Sequence, residues 1–136
     1  MGKFVADIQA VVWRPRKVPD AWTDVEQDAV ACVSVSALDA AWSGATDEYV
    51  GAGGVGSNQA SKYRRFEEWF ANARHVDRSL LFIDGDGRPI FTDGRPRFAW
   101  FRDQGLAALP IAVPPNEAGV FNARFKMNAR VGTIIS

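Results

Sequence analysis

Apolar residues recur along this chain in short blocks, some with period two and some with period three to four. In "KFVADIQAVVW", Phe4, Ala6, Ile8 and Ala10 alternate with their neighbours, which predicts a strand. "RPRKVPD" breaks it, because its two prolines suit neither a helix nor a strand interior. "AVACVSVS" is the next strand, short and β-branched. Ser36 is placed to cap a brief helix, "ALDAAW", with Asp39 three residues on in a capping-box-like pair. The glycine-rich "DEYVGAGGVGSNQAS" reads as a loop. After it, Ser61 opens the strongest helix, "KYRRFEEWFANAR". There Tyr63, Phe66, Phe70 and Ala73 share one face, Trp69 lies beside them, and Arg64 and Glu68 can pair on the polar side.

Shorter periods follow. "SLLFI", the tight turn "DGDG" and "RPIFT" form a hairpin. A helix from about Pro96 to Gln104 ends at Gly105, and "ALPIAVP" is one more strand. In the tail, Phe121, Ala123, Phe125 and Met127 alternate with Asn122, Arg124, Lys126 and Asn128, which predicts an edge strand. Strands, helices and a hairpin with no internal repeat make a single α+β domain over residues 1–136: a small mixed sheet with short helices.

Composition narrows the class. The 136 residues are 47% hydrophobic, with five tryptophans and nine phenylalanines, enough for a packed core. No segment has the apolar length of a membrane span, and the first residues lack the pattern of a signal peptide. One cysteine, Cys32, and one histidine, His75, are too few for an internal disulfide or a structural zinc site. His75 falls at the end of the long helix, as a surface or capping residue. This composition fits the cytosol.

A formal net charge of zero argues against a protein that simply coats nucleic acid. The charge is nevertheless segregated: 18–61 contains acids but no Lys or Arg, and arginine predominates after Lys62. Folding could turn this into an acidic wall and a basic one, or scatter it.

Two glycine-bearing stretches carry the candidate chemistry. "GAGGVG" contains Gly51, Gly53, Gly54 and Gly56 in a G-x-G-x-x-G spelling, but no hydrophobic strand precedes it and no helix opens on it, so a dinucleotide fold does not follow. It is either a permissive linker or a loop whose backbone approaches a ligand, with Asp47, Glu48 and Tyr49 on its rim. The other stretch is "FTDGRPRFAWFRDQG". Pro96 fits the first helical position, and the first turn of a helix offers unpartnered N–H groups and partial positive charge. Gly94 permits the corner. Arg95 and Arg97 flank the donors in a setting suited to a phosphate, with Arg102 further along the helix. Arg95 cannot cap, which leaves Thr92 or Asp93 for that role. The alternative pairs the arginines with Asp93 or Asp103 and leaves the helix merely packing. Phe98 and Trp100 could stack on a base but suit the core better, and Asp84 and Asp86 suit the hairpin turn.

A strand, a G-x-x-R turn, a short helix ending in glycine and then "LPIAVP" resemble the core of the ParB/sulfiredoxin fold. With "YVGAGGVG" and "YRRFEEWF" upstream, the chain resembles the plasmid fertility inhibition factors, the FiwA/Osa-like proteins, over roughly residues 30–115. The N-terminal strand arm and C-terminal edge strand lie outside that core. The resemblance implies a nucleotide-binding fold that holds phosphates at Gly94-Arg95-Pro96-Arg97, and a role in blocking transfer of a competing conjugative plasmid. ATP or another nucleoside triphosphate with Mg²⁺ is the implied cofactor. DNA or a conjugative transfer ATPase is the implied partner, and ATP hydrolysis or DNA cleavage the implied activity. Asp47, Glu48 and Asp93 are then the candidate catalytic carboxylates, since hard cations take carboxylate oxygens; no metal ligand set is assigned.

Departures from the family pattern limit the chemistry. Sulfiredoxins place Cys-His where this chain has Arg95-Pro96, which rules against sulfinic acid reduction, and ParB proteins read G-E-R-R. Fertility inhibition factors usually read T-D-G-R-H-R, so Pro96 takes the place of their histidine. Two readings remain: a nucleotide-dependent hydrolase or DNase, or a non-catalytic inhibitor that binds a protein of a transfer or defence machine. A small kinase with Glu48 as base is a weaker third.

Overall fold

The computed structural model describes residues 11–15, 28–44, 49–55, 60–70, 75–129 and 131–135. The elements run β1 (Val12–Arg14), β2 (Ala29–Ser34), α1 (Val35–Ser43), α2 (Ala60–Phe70), β3 (His75–Asp77), β4 (Leu80–Ile83), β5 (Pro89–Asp93), α3 (Arg95–Asp103), β6 (Ala108–Val113), α4 (Ala118–Phe125) and β7 (Thr133–Ile134). Four strands pair in the order β2-β6-β4-β5, with β6 and β4 parallel and the outer pairs antiparallel. A second sheet, β3-β1-β7, is parallel throughout. One mixed and one parallel sheet with, among the described residues, four short α-helices make the α+β class expected from the sequence. Phe4, Ala6, Ile8 and Ala10, the "RPRKVPD" break apart from Arg14 and Pro15, and Ala73 lie outside the described residues.

Burial explains the arrangement. Every residue of β6 is buried, as befits the strand between β2 and β4. α3 is buried along its middle, Phe98 to Phe101, and polar at both ends. Phe98 packs on Trp42 and Phe91, with centroids 5.8 and 5.4 Å away, while Phe101 meets Trp13 at 5.0 Å and Phe70 at 5.4 Å. A helix clamped by aromatics on both sides of its middle presents chemistry only at its termini. Phe98 and Trp100 are therefore core, 1% and 0% exposed, and are not placed to stack on a ligand.

Three expectations are corrected. The cap of α1 is Ser34, whose Oγ accepts the Ala37 N–H at 3.2 Å; Ser36 lies within the helix. Asp39 is turned away from that cap to bind Arg102 and Tyr49. The tail forms α4 rather than an edge strand. Phe121 and Phe125, four residues apart, are both buried, whereas Ala123 between them is exposed. The preceding Pro115–Glu117 turn is already helical, and Glu117 Oε1 accepts the Ile83 N–H at 2.7 Å, which seats the turn on the hairpin. His75 opens β3 instead of ending α2. The DGDG turn forms as expected: Asp84 Oδ1 accepts the N–H groups of Asp86 and Arg88, each at 2.9 Å.

Ala123→Pro separates the two descriptions of the tail. In an exposed helix interior it costs about 3 kcal/mol or more, whereas a solvent-facing edge strand tolerates it far better. We expect the larger loss, read as the shift in urea midpoint at unchanged m-value.

Candidate functional site

Gly94 governs the corner between β5 and α3. Its φ is +92°, in the left-handed region, and a β-carbon would stand 2.3 Å from Ser79 Oγ and 2.8 Å from Arg97 Nη2. Ser79 is buried and donates from Oγ to the Gly94 carbonyl at 3.1 Å; that carbonyl also accepts the Phe98 N–H at 3.0 Å. Only glycine fits both the dihedral and the space. The register of β4 on β5 shifts beside this corner: Leu81 opposes Phe91 and Leu80 opposes Asp93, so Thr92 is an extra residue. Such a bulge re-aims the end of a strand.

The corner leaves the start of α3 open. Gly94 is the N-cap and has no side chain to bond the first-turn amides, and Pro96 sits in the first turn. Asp93 directs its carboxylate to Arg97 Nη2 at 3.2 Å rather than to the helix. Arg95 Nη2 donates to the Phe91 carbonyl at 2.8 Å, which holds its guanidinium at the corner. Arg97 Nε is buried and has no hydrogen-bond partner among the described residues.

α2 forms the facing wall. Residues three and four apart stack on one side of a helix, so Lys62, Arg65 and Trp69 make a stripe beside the buried stripe of Tyr63, Phe66 and Phe70. A cleft of ≈ 500 Å³ lies between this stripe and Thr92–Arg97. Among the described residues its lining holds four cationic side chains, Lys62, Arg65, Arg95 and Arg97, and a single carboxylate, Asp93. That balance stands out in a chain of zero net charge. The Arg97–Asp93 pair spans the strand-to-helix corner with its carboxylate more than half exposed, so it contributes at most about 1 kcal/mol and yields readily to a stronger anion. Lys62, Arg65 and Trp69 were not expected at the site. The signal was the i, i+3, i+7 spacing beside the apolar stripe, and it acquires meaning only once the opposite wall is known.

Arg102 lies elsewhere. Its Nη1 donates to Asp39 Oδ1 at 3.0 Å, Tyr49 Oη at 3.3 Å and the Val50 carbonyl at 2.7 Å, and its Nε to Asp103 Oδ1 at 2.9 Å. The expectation that Arg102 reaches the phosphate corner is corrected: it faces the C-terminal end of α3, and two acids and a carbonyl engage it. Burial disfavours its charge, but its hydrogen bonds to the Asp103 and Asp39 carboxylates more than offset this and hold it protonated above its ordinary range.

The glycine loop belongs to the same end. Gly53 N–H donates to Asp103 Oδ2 at 2.9 Å, and Tyr63 Oη donates to the same oxygen at 2.6 Å. Gly54, at φ +88°, lies so close to α2 that a β-carbon would meet the Tyr63 side chain at 3.1 Å. Gly51 N–H and the Val55 carbonyl, 2.8 Å apart, close the loop. The bare backbone thus approaches a helix of its own chain, and Tyr49, Gly51, Gly53 and Gly54 do not line the cleft. Asp47, Glu48 and Gly56 lie outside the described residues. Among the described residues no cluster of His, Cys, Asp and Glu could hold a metal ion, and no helix is long and apolar enough to cross a membrane.

No protein-family model matches the chain, and no curated protein sequence matches it. Among solved structures, the crystal structure of Oncogenic Suppression Activity Protein, a plasmid fertility inhibition factor, is similar in fold. Its TM-score is 0.56 at 20% sequence identity, over 86% of this chain and 78% of that one.

The Asp103 contacts predict an acid-sensitive latch. Burial works to raise this carboxyl, but hydrogen bonds from Arg102, Tyr63 and the Gly53 N–H outweigh it, so its net shift is below the ordinary 3.8. A depressed carboxyl stabilises the fold at pH values above that ordinary value and loses the contribution as pH falls through its folded pKa. Stability should drop as the pH falls below the ordinary 3.8 and through the folded pKa, and Asp103→Asn should flatten that part of the profile while lowering stability at pH 7. Chemical denaturation across pH checks both.

Proposed function

We propose that the chain binds the phosphate groups of a nucleotide or nucleic acid in the cleft between α2 and the Gly94 corner, and that it acts in plasmid fertility inhibition. The observation that carries the binding reading is the cleft lining: among the described residues, four cations against one carboxylate, around a helix start with no side-chain cap. A phosphate would accept from first-turn amides at the favourable end of the helix dipole. Arg95 and Arg97 add charge-assisted hydrogen bonds of the strong, bidentate kind. Arg97 Nε, buried without a partner, would gain one, removing the cost of an unsatisfied buried donor. The biological role rests on likeness of fold to a plasmid fertility inhibition factor.

The cleft's own side chains support binding rather than turnover. Phosphoryl transfer needs charge stabilisation and a positioned water, usually with a metal. The arginines meet the first requirement. Among the described residues the lining offers only Asp93 for the second, and Arg97 holds it. Pro96 brings neither a nucleophile nor a proton-transfer group to the turn. A hydrolase or DNase would need a further carboxylate at the phosphate, for which Asp47 and Glu48 are the candidates. The reading the cleft favours is an inhibitor that uses a phosphate-bearing ligand to engage, or compete for, a component of the transfer machine.

Thermal denaturation with ATP, CTP, ADP and tripolyphosphate, each with and without Mg²⁺, tests the binding site. Ligand at one hundred times Kd adds about 2.7 kcal/mol, several degrees for a chain of this size. Arg95→Ala/Arg97→Ala should abolish the rise, whereas Arg102→Ala should lower the starting Tm and keep it. A rise that survives the double substitution would place the site elsewhere. Plasmid transfer frequency from cells expressing the wild type or the double variant tests the role: only the wild type should depress it.

A further inference from the structure

Trp69 is out of place as a packing residue. Trp13, Trp42 and Trp100 are at most 2% exposed, whereas Trp69 is 45% exposed on the wall of the cationic cleft. Its ring packs on Phe66 at 5.7 Å between centroids, which fixes one side and leaves much of the residue in solvent. A second cleft of ≈ 210 Å³ is lined by Arg14, Phe66, Trp69, Asp77 and Arg97. The two clefts share Phe66, Trp69 and Arg97, so they adjoin at the tryptophan and the arginine. Cationic groups stand on both sides: Lys62, Arg65 and Arg95 in the larger cleft, and Arg14 in the smaller, its Nε 2.6 Å from Asp77 Oδ1.

An exposed, backed indole between a cationic cleft and a recess where Arg14 stands paired with Asp77 has the chemistry of a base-stacking platform. Stacking is insensitive to base identity because every base has a π-face, and the flanking cations track a phosphate backbone. A mononucleotide uses one recess. A ligand that uses both, and the ring between them, carries phosphates on either side of an unpaired base. In a duplex the base faces are stacked on one another and withheld from a side chain. We propose that Trp69 stacks on a base of single-stranded nucleic acid, whose flanking phosphates lie at Arg95–Arg97 on one side and towards Arg14 on the other. This rests on the phosphate-binding reading of the cleft and adds the specificity-determining residue and the class of ligand.

Fluorescence anisotropy with a short labelled oligo(dT), an abasic strand of the same length and competing dTMP tests the assignment at fixed salt. We expect Trp69→Ala to weaken oligo(dT) binding roughly 5- to 100-fold, to leave abasic-strand binding and the salt dependence unchanged, and Trp69→Phe to recover most of the loss. A half-exposed position makes a change in Tm small. Equal affinity for oligo(dT) and the abasic strand, with no effect of Trp69→Ala, would overturn the stacking role while the phosphate cleft stands. Competition by dTMP at the same concentration as oligo(dT) nucleotides would overturn the extended ligand. If neither strand binds and tripolyphosphate gives no thermal shift, the underlying cleft reading fails as well.

Discussion

The corner at Gly94 has no room for a β-carbon, and the arrangement of the site follows from that exclusion. Its left-handed backbone lets β5 turn at once into α3, and its carbonyl accepts from buried Ser79. The Ser79 carbonyl in turn accepts the Ala112 N–H at 2.8 Å, so the corner is tied to the central strand of the larger sheet. Two arginines two positions apart are thereby held on a rigid base, not on a loop. A site on fixed elements forms its contacts with little ordering cost, which is what anion recognition by a few side chains needs.

The opposite end of α3 keeps the cleft's second wall in place. Arg102 and Asp103 bind Asp39, Tyr49, the Val50 carbonyl, Gly53 and Tyr63, and so join α1, the glycine loop and α2 to one helix terminus. Breaking one partner of such a part-buried set leaves charge without compensation, so the set behaves as a unit. The Phe66, Phe70, Trp100 and Phe101 rings pack between the helices and complete the contact. α3 thus separates two tasks that look alike in sequence: arginines at its start face the cleft, and the arginine at its end is structural.

Much of this was legible from residue pattern. Gly94 and Pro96 marked the corner and the helix start, and the DGDG hairpin and the β6 run followed from turn chemistry and β-branched content. What misled were local patterns with two solutions. Phe121, Ala123 and Phe125 alternate as a strand does, yet 121 and 125 also lie one helical turn apart, and packing on β2 selected the helix. The glycine loop resembled a ligand cradle because close backbone approach looks the same whether the neighbour is a phosphate or Tyr63. Lys62, Arg65 and Trp69 lay in plain view on a helix whose polar side suggested only the Arg64–Glu68 pair. Only tertiary placement opposite Arg95 and Arg97 gives them one.

Backbone amide and arginine Nε resonances followed during titration with tripolyphosphate test the central claim most directly. We expect saturable shifts at Gly94, Arg95 and Arg97, including Arg97 Nε, with the Gly51–Gly54 amides unmoved. Shifts centred on the glycine loop, or none at the Gly94 corner at saturating ligand, would contradict it.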